Sequence, residues 1–195
     1  MAVVEVKEYT LPDFDRKEIL RYCGVKDADD GFLAVLNDCI KEAQDCILAR
    51  VCYALLPLSV DGDSCDFTYF ITRSKSLANN LRGTKNAVAF VCSVGVGMDR
   101  LIVKYGKISP VKALCMQAIG SERAEALAEA FCRDLKGKYQ GVRGRFSPGY
   151  GDLDLQVQEK LFALLQPEKY IGVGLSQSLL MTPSKSISAF VGVEE

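Results

Sequence analysis

The sequence predicts an α+β fold, and three features of the chain lead to that class. Residues 87–94 form a continuous apolar run, which is typical of a strand buried on both faces. Residues 29–48 and 110–135 place their apolar side chains at helical spacing. The predicted strands and helices follow one another in mixed order, without the regular alternation of a wound parallel sheet. We therefore expect one α+β domain over residues 1–195, a length that can bury a substantial core.

Capping residues mark the ends of two shorter helices. Asp15 is the expected start of a helix that Gly24 closes, because aspartate accepts from free backbone N–H groups and glycine adopts the left-handed conformation. Ser74 and Gly83 bound a second short helix in the same way. A turn is expected at 61–66, a further helix at 152–165, and strands at 3–6, 50–56, 67–71, 178–181 and 186–193.

A Gly-x-Gly sequence follows the buried strand, at Gly95 and Gly97. Strand, Gly-x-Gly and helix together suggest a dinucleotide-binding turn. The third glycine of that fingerprint would stand at position 100, which is Arg100, and no βαβ repeat follows. We therefore expect a tight turn between a strand and a helix.

The long helix contains two features of its own. Gly120 and Ser121 lie in its middle and predict a bend or break. Glu122, Glu125 and Glu129 fall near one stripe of its second half. Such a stripe is most often a solvated face, and this is our expectation from the spacing alone.

Composition and charge exclude several classes of function. The net charge of −1 gives no electrostatic footprint for nucleic acid or an anionic membrane. No apolar run reaches the length of a membrane span, and the first ten residues do not have the pattern of a signal peptide. A cytoplasmic location is therefore the default expectation.

Histidine is absent, and cysteine is frequent but scattered. The lack of histidine removes Ser-His-Asp and Cys-His nucleophilic machinery, histidine acid–base catalysis and the commonest metal ligand. The eight cysteines form no Cys-x-x-Cys pair or tight cluster, so we expect reduced, structural thiols and no metal site. Any chemistry then depends on carboxylates, positioning, or groups that a partner or cofactor brings.

The loop at residues 141–151, GVRGRFSPGYG, is the strongest candidate for a binding site. Its glycines permit close approach of backbone to a ligand, and Pro148 presets a turn. Arg143 and Arg145 can grip a carboxylate, and Tyr150 offers a flat apolar face. These residues suit a small zwitterion that carries an aromatic ring. The alternative is a surface loop with solvated arginines.

This loop and the segment after it resemble the activation domain of cobalamin-dependent methionine synthase. In that family an arginine leads a Pro-Gly-Tyr turn, a short helix follows, and a Gly-x-x-Leu-x-x-Ser, Met-x-Pro and Ser-x-Ser series comes next. Upstream, ILRYCGV, GVGMDRLIVKYG and QAIGSERAEALAEAF are similar to short, free-standing versions of the domain. The chain supplies the C-terminal series in order and spacing, with Gly172, Leu175, Ser178, Met181, Pro183, Ser186 and Ser188.

The resemblance implies a fold, a ligand and a set of contacts. It implies a bent, largely antiparallel sheet with helices packed around it, and binding of S-adenosylmethionine. It implies that Arg145 pairs with the ligand carboxylate and that Glu125 binds the ammonium group. Contacts to the adenosine part are implied for backbone groups around Ser147, Pro148, Gly149 and Tyr150.

The resemblance also implies a role in rescue. Cobalamin in methionine synthase is occasionally oxidised to inactive cob(II)alamin, and one electron, from flavodoxin or another donor, and the methyl group of S-adenosylmethionine restore it. Methyl transfer from a sulfonium needs a held and aligned donor rather than a general base, so a histidine-free chain can serve. We expect a reactivation subunit that acts on cobalamin held by a methionine synthase partner and carries no catalytic side chain of its own. An activator of another corrinoid protein, or a non-catalytic module that docks on a cobalamin domain, are the alternatives.

Overall fold

A computed structural model describes residues 2–194, and the chain forms a mixed α+β fold in which all paired strands are antiparallel. Within these residues the strands are β1 (Glu5–Glu8), β2 (Arg50–Pro57), β3 (Ser59–Asp61), β4 (Ser64–Asp66), β5 (Ile71–Arg73), β6 (Asn86–Ser93), β7 (Gly141–Val142), β8 (Gly174–Leu175), β9 (Met181–Thr182) and β10 (Ser186–Glu194). The helices are α1 (Arg16–Cys23), α2 (Asp30–Gln44), α3 (Lys75–Leu81), α4 (Val96–Ile108), α5 (Pro110–Lys138), α6 (Val157–Leu165) and α7 (Pro167–Ile171).

The central sheet has five strands in the order β1-β2-β6-β10-β7. Its middle strand, β6, is the predicted apolar run, and every residue of it after Asn86 is buried. One face of the sheet packs against α1, α2, α4 and α5, and the other packs against α3, α6 and α7. A strand with helices on both sides must be apolar in both directions, which is why β6 lacks alternation. The predicted α+β class with an antiparallel sheet is confirmed.

The predicted caps lie where the sequence places them. The Asp15 carboxylate accepts hydrogen bonds from the backbone N–H groups of Lys17 and Glu18, and Gly24 ends α1 with a φ of 69°. The Ser74 hydroxyl accepts from the backbone N–H of Leu77 and begins α3. The tight turn expected after β6 is also present, since α4 begins at Val96.

Several predicted boundaries are wrong. The first strand lies at Glu5–Glu8 rather than 3–6, and α2 ends at Gln44 rather than near 48. Residues 67–70 form a turn, closed by a hydrogen bond of 3.0 Å from the Phe67 N–H to the Phe70 carbonyl, and not a strand. Residues 61–66 contain a turn, but it lies within the hairpin of β3 and β4.

The C-terminal half contains two further differences. The helix expected from 152 begins at Val157, because Asp152 is used elsewhere, as described below. Residues 176–180 form the turn between β8 and β9, so the strand expected at 178–181 is reduced to Met181–Thr182. In the first segment the long-range hydrogen bonds of Asp152, and in the second the local bonds of the turn, override the pattern that the sequence predicted.

The long helix α5 is continuous, so the predicted break at Gly120 is wrong. The aliphatic part of Lys185 crosses the helix at this residue, and a Cβ atom there would lie 2.9 Å from Lys185 Cγ. Lys185 Nζ then donates to the hydroxyl of Ser121 at 3.0 Å. Gly120 therefore permits the close packing of Lys185 against the helix.

The expectation that the glutamate stripe of α5 is solvated is wrong for its first residue, Glu122. Glu122 is 5% exposed and pairs with Arg123, which is 2% exposed. Arg123 donates to the carbonyls of Pro12 and Asp13, and Glu122 accepts from the Asp15 N–H. This buried pair attaches the segment before α1 to the long helix.

All eight cysteines lie within the described residues and are free, six of them buried. Among residues 2–194, no helix is long and apolar enough to cross a membrane. In the same part of the chain, no group of three or more histidine, cysteine, aspartate or glutamate side chains is arranged to hold a metal ion.

Candidate functional site

A cavity of about 740 Å³ lies beside the free edge of β10. Strand β7 pairs with β10 only at Val193 and Glu194, and Phe146 forms one more bridge to Phe190. Beyond this bridge the 141–151 loop leaves the strand, and the cavity occupies the space between them. Its walls are formed by Glu125, Arg145, Phe146, Ser147, Pro148, Tyr150, Leu155, Gln158, Leu179, Leu180, Met181, Thr182, Ser184, Ser186, Ile187 and Ser188.

Backbone hydrogen bonds fix the 141–151 loop to the sheet. The Arg143 N–H donates to the Gly192 carbonyl at 2.8 Å, and Phe146 and Phe190 exchange bonds of 2.8 and 2.9 Å. Arg145 lies between these two anchors, so its side chain leaves the loop from a fixed backbone position. Its guanidinium reaches the cavity wall rather than open solvent.

The Pro-Gly-Tyr part of the loop is a compact turn. The Tyr150 N–H donates to the Ser147 carbonyl at 3.1 Å, and the Gly149 N–H donates to the Leu153 carbonyl at 2.9 Å. Gly149 has a φ of 86°, and a Cβ atom there would lie 3.3 Å from Leu155 Cδ1. The positive φ favours glycine at this residue, and the approach of Leu155 leaves little room for a side chain. Tyr150 follows it with 71% of its surface exposed at the cavity mouth.

Arg145 and Glu125 form an ion pair in the cavity wall. Burial lowers the pKa of the Arg145 guanidinium, but the hydrogen bond and negative charge of Glu125 raise it by more, so the net pKa lies above its ordinary value. The pair uses Nη2 of Arg145, whereas Nη1 is buried without a hydrogen-bond partner among residues 2–194. A buried donor without a partner is unfavourable, and a carboxylate is the group that Arg binds best.

Asp152, immediately after the loop, is a residue that the sequence reasoning missed. Its carboxylate accepts from the Ser74 hydroxyl at 2.6 Å and from the N–H groups of Lys75 and Ser76 at 2.8 and 3.0 Å. The hydrogen bond from Ser74, with those from Ser76 and Lys75, holds the pKa of Asp152 well below its ordinary value. Asp152 therefore binds the N-terminus of α3 and fixes the end of the loop. A carboxylate two residues after the Pro-Gly-Tyr turn was the available signal.

The opposite wall of the cavity is the turn between β8 and β9, and Gln158 lies behind it. Gln158 is 4% exposed, donates to the Leu179 carbonyl at 3.2 Å and accepts from the Ser188 hydroxyl at 3.2 Å. Below the turn, the Asp99 carboxylate accepts from the N–H and hydroxyl of Ser184 at 2.8 and 2.7 Å. None of these polar contacts was predicted, because the sequence does not say which helix faces this segment.

The structure brings most of the predicted site residues together. Glu125, Arg145, Ser147, Pro148 and Tyr150 line one cavity, and Gly149 shapes the turn among them. Arg143, the other arginine of the loop, instead pairs with Glu194 at 2.8 Å and lies outside the lining. Guanidinium and carboxylate side by side complement the carboxylate and ammonium of an α-amino acid. Leu155, Leu180 and the Tyr150 ring supply apolar surface for a flat group.

Comparison with known proteins identifies a family and solved structures of the same fold. Residues 70–195, more than half of the chain and including the whole cavity lining, match the family described as vitamin B12 dependent methionine synthase, activation domain. The crystal structure of the MetH reactivation domain bound to AdoHcy aligns with a TM-score of 0.74 at 16% identity, covering 99% of this chain and 79% of that one. No curated protein sequence matches the chain. The family match and the shared fold agree, and the chain belongs to the activation domain family of vitamin B12-dependent methionine synthase.

Proposed function

We propose that this chain binds S-adenosylmethionine in the cavity beside β10 and presents its methyl group to cobalamin held by a methionine synthase partner. The observation that carries the proposal is the ion pair of Arg145 and Glu125 in the wall of a cavity that lies within the family-matched residues. The chain would thereby restore cob(II)alamin that has become inactive.

The amino-acid end of the ligand fits the Arg145 side of the cavity. The Arg145 side chain lines the cavity and is 25% exposed, so a ligand carboxylate can pair with its guanidinium. The Glu125 side chain is 43% exposed and carries the charge that an ammonium group prefers. One ion pair in the wall thus offers both charges of a zwitterion.

The adenosine end fits the mouth of the cavity. The volume of the whole cavity, about 740 Å³, lies within the range of small-molecule sites. The apolar surfaces of Tyr150, Leu155 and Leu180 suit a purine ring. The neighbouring structure of the MetH reactivation domain, which was solved with AdoHcy, supports an adenosyl ligand for this fold.

The chemistry asked of these residues is positioning. S-adenosylmethionine supplies an activated methyl group when it is bound. Arg145 and Glu125 hold one end of the donor, and the 147–150 turn holds the other, so the sulfonium between them is fixed in one orientation. Fixed orientation accounts for much of the barrier reduction in a transfer that needs no proton movement. The chain has no histidine, so imidazole is not part of this arrangement.

The partners follow from the same proposal. The family membership favours a cobalamin-binding methionine synthase chain as the acceptor. A one-electron donor, flavodoxin or another protein of that class, would reduce cob(II)alamin, so that the cobalt can take the methyl group while the S–CH3 bond breaks and S-adenosylhomocysteine leaves. The electron enters through the partner, since this chain contributes only the held methyl donor.

Reconstitution tests the proposal. A partner loaded with cob(II)alamin is mixed with a one-electron reductant, S-adenosylmethionine and this chain, and the visible spectrum of the corrin is followed. We expect methylcobalamin to form only when this chain is present, and not with Arg145→Ala. Equal methylation of the methionine synthase partner without the chain would contradict the reactivation role. Methylation of a different corrinoid protein alone would support the alternative acceptor, and docking without methylation would support a non-catalytic module.

A further inference from the structure

Gln158 is a buried amide on a helix face that is otherwise apolar. It lies in the first turn of α6 and is 4% exposed, and its helix neighbours Val157, Leu161 and Leu165 are buried in the core under the sheet. Burial of an amide is unfavourable unless both its donor and its acceptor are satisfied. The amide must therefore be explained by what it binds.

Both ends of the Gln158 amide bind parts of the cavity wall. The Nε2 group donates to the Leu179 carbonyl at 3.2 Å, and Oε1 accepts from the Ser188 hydroxyl at 3.2 Å. A carbonyl can only accept, so the nitrogen end must face Leu179 and the oxygen end must face Ser188. Gln158, Leu179 and Ser188 all line the cavity. The amide thus spans the space between β10 and the β8–β9 turn.

Leu179 has a backbone conformation that needs such support. Its φ is 62°, in the left-handed region that a leucine rarely adopts. Within the turn, the N–H groups of Leu179 and Leu180 bind the carbonyl and hydroxyl of Ser176 at 2.9 and 3.1 Å. Among the side-chain hydrogen bonds of residues 2–194, the one from Gln158 connects this turn to α6. Leu180, 67% exposed, extends from the turn at the cavity mouth.

We infer that Gln158 is a positioning residue, which holds the β8–β9 turn at the separation from β10 that the ligand requires. The inference rests on the proposed binding of S-adenosylmethionine. Gln158 acts through Leu179 and Ser188, so its loss lets the turn move and leaves Arg145 and the 141–151 loop in place.

Two measurements on Gln158→Met test the inference. Methionine has a similar length and fills the same apolar surroundings but forms neither hydrogen bond. Amide hydrogen exchange in the ligand-free chain measures how often the turn opens. Calorimetric titration with S-adenosylmethionine measures the Kd of the ligand. Leu165→Val, buried in the same helix and outside the cavity lining, is the control for a general loss of stability.

The expected results differ between the two variants. In Gln158→Met, exchange at the Leu179 and Leu180 amides rises about tenfold, and the Kd for S-adenosylmethionine rises about tenfold. In Leu165→Val the exchange rates of the two amides and the Kd stay within about twofold of wild type, even if its melting temperature falls as far as that of Gln158→Met. Ser188→Ala, which leaves the bond to Leu179 intact, gives a smaller effect on both.

Each arm can overturn a separate claim. Unchanged exchange at Leu179 and Leu180 in Gln158→Met would show that the amide does not hold the turn. Faster exchange with unchanged affinity would show that the turn does not matter for the ligand. If wild type does not bind S-adenosylmethionine, the proposed function fails, while the exchange arm still decides whether Gln158 positions the turn.

Discussion

The guanidinium of Arg145 and the carboxylate of Glu125 form an ion pair that joins the 141–151 loop to the long helix α5 at the cavity wall. The pair leaves one guanidinium nitrogen buried and unpartnered within residues 2–194, and leaves the glutamate side chain 43% exposed. Under the proposed function, this pair receives the two opposite charges of an amino acid. Because the Glu125 side chain is 43% exposed and screened by water, we expect the pair to contribute more to ligand binding than to folding.

Glu125→Gln should weaken binding of S-adenosylmethionine, because it removes the charge that faces the ligand ammonium. We expect a rise in Kd of about tenfold to hundredfold, the effect of one charge-assisted hydrogen bond. Binding of 5′-methylthioadenosine, which lacks the amino-acid end, should not change. Calorimetry with both ligands measures this, and Glu159→Gln, exposed on α6, is the control. Equal losses for the two ligands would place the ammonium elsewhere.

Gly120 and Gly137 should respond in opposite ways to alanine, although both lie within α5. At Gly137 a Cβ atom would meet open space, so Gly137→Ala should stabilise the fold by about 0.5–1 kcal/mol. At Gly120 the Cβ would lie 2.9 to 3.1 Å from three carbons of Lys185. Gly120→Ala should therefore give no gain, or a loss of about 1–2 kcal/mol.

Removal of Lys185 should reverse the effect at Gly120. In a Lys185→Ala background, Gly120→Ala should become stabilising by about 0.5–1 kcal/mol, while Gly137→Ala should keep the same value. Urea unfolding of the single and double variants measures the coupling. If the two substitutions at Gly120 and Lys185 are additive, the packing described here does not explain the glycine.

Asp152 should make the stability of the fold depend on pH in the acid range. Its pKa in the folded chain lies below the ordinary 3.8, because Ser74, Ser76 and Lys75 donate to it. A depressed folded pKa stabilises the fold above the unfolded pKa, and this contribution is lost as pH falls below it. Asp152→Asn should thus have a lower free energy of unfolding than wild type at neutral pH. The difference between the two proteins should shrink below pH 3.8.

The free energy of unfolding, measured from neutral pH to about pH 2, tests this linkage. Asp38→Asn, an exposed position on α2, is the control and should follow wild type throughout. A difference between wild type and Asp152→Asn that stays constant over the whole range would show that the carboxylate charge is not involved.

The cysteines should react in two groups. Cys23 and Cys46 are half-buried, whereas the other six are buried, and burial raises the pKa of Cys52 to about 12 and that of Cys65 to about 11. Only the thiolate reacts, so titration of the native chain should show two accessible thiols and six protected ones. Protein denatured under non-oxidising conditions should give eight. Stoichiometric zinc, or fewer than eight thiols, would contradict the assignment.

Much of the fold was predictable because its signals are local. The caps at Asp15, Gly24 and Ser74 bind backbone groups within a few residues, and β6 is apolar over its whole length. The short strands near 61–73 and 174–182 were misplaced, since hydrogen bonds within residues 67–70 and 176–180 form turns where the apolar pattern predicted strands. Gly120 was misread because its neighbour Lys185 is far away in sequence.

The candidate site also contains residues that the sequence could predict and residues that it could not. Arg145, Ser147, Pro148 and Tyr150 lie within six residues of one another, so their motif could be read from the sequence, and they line one cavity. Gln158 and Asp152 could not be read, because each binds segments that only the fold brings near. A buried glutamine in an apolar helix face and an aspartate after a turn are signals that many structural residues share.

The most direct test of the central claim is calorimetric titration of the chain with S-adenosylmethionine, comparing wild type with Arg145→Ala. Arg143→Ala is the matched control, since Arg143 belongs to the same loop but pairs with Glu194 outside the cavity. Loss of a buried, charge-assisted partner costs about 2–5 kcal/mol. We predict saturable binding by wild type and Arg143→Ala, and no measurable binding by Arg145→Ala. Equal affinity in all three proteins would contradict the account.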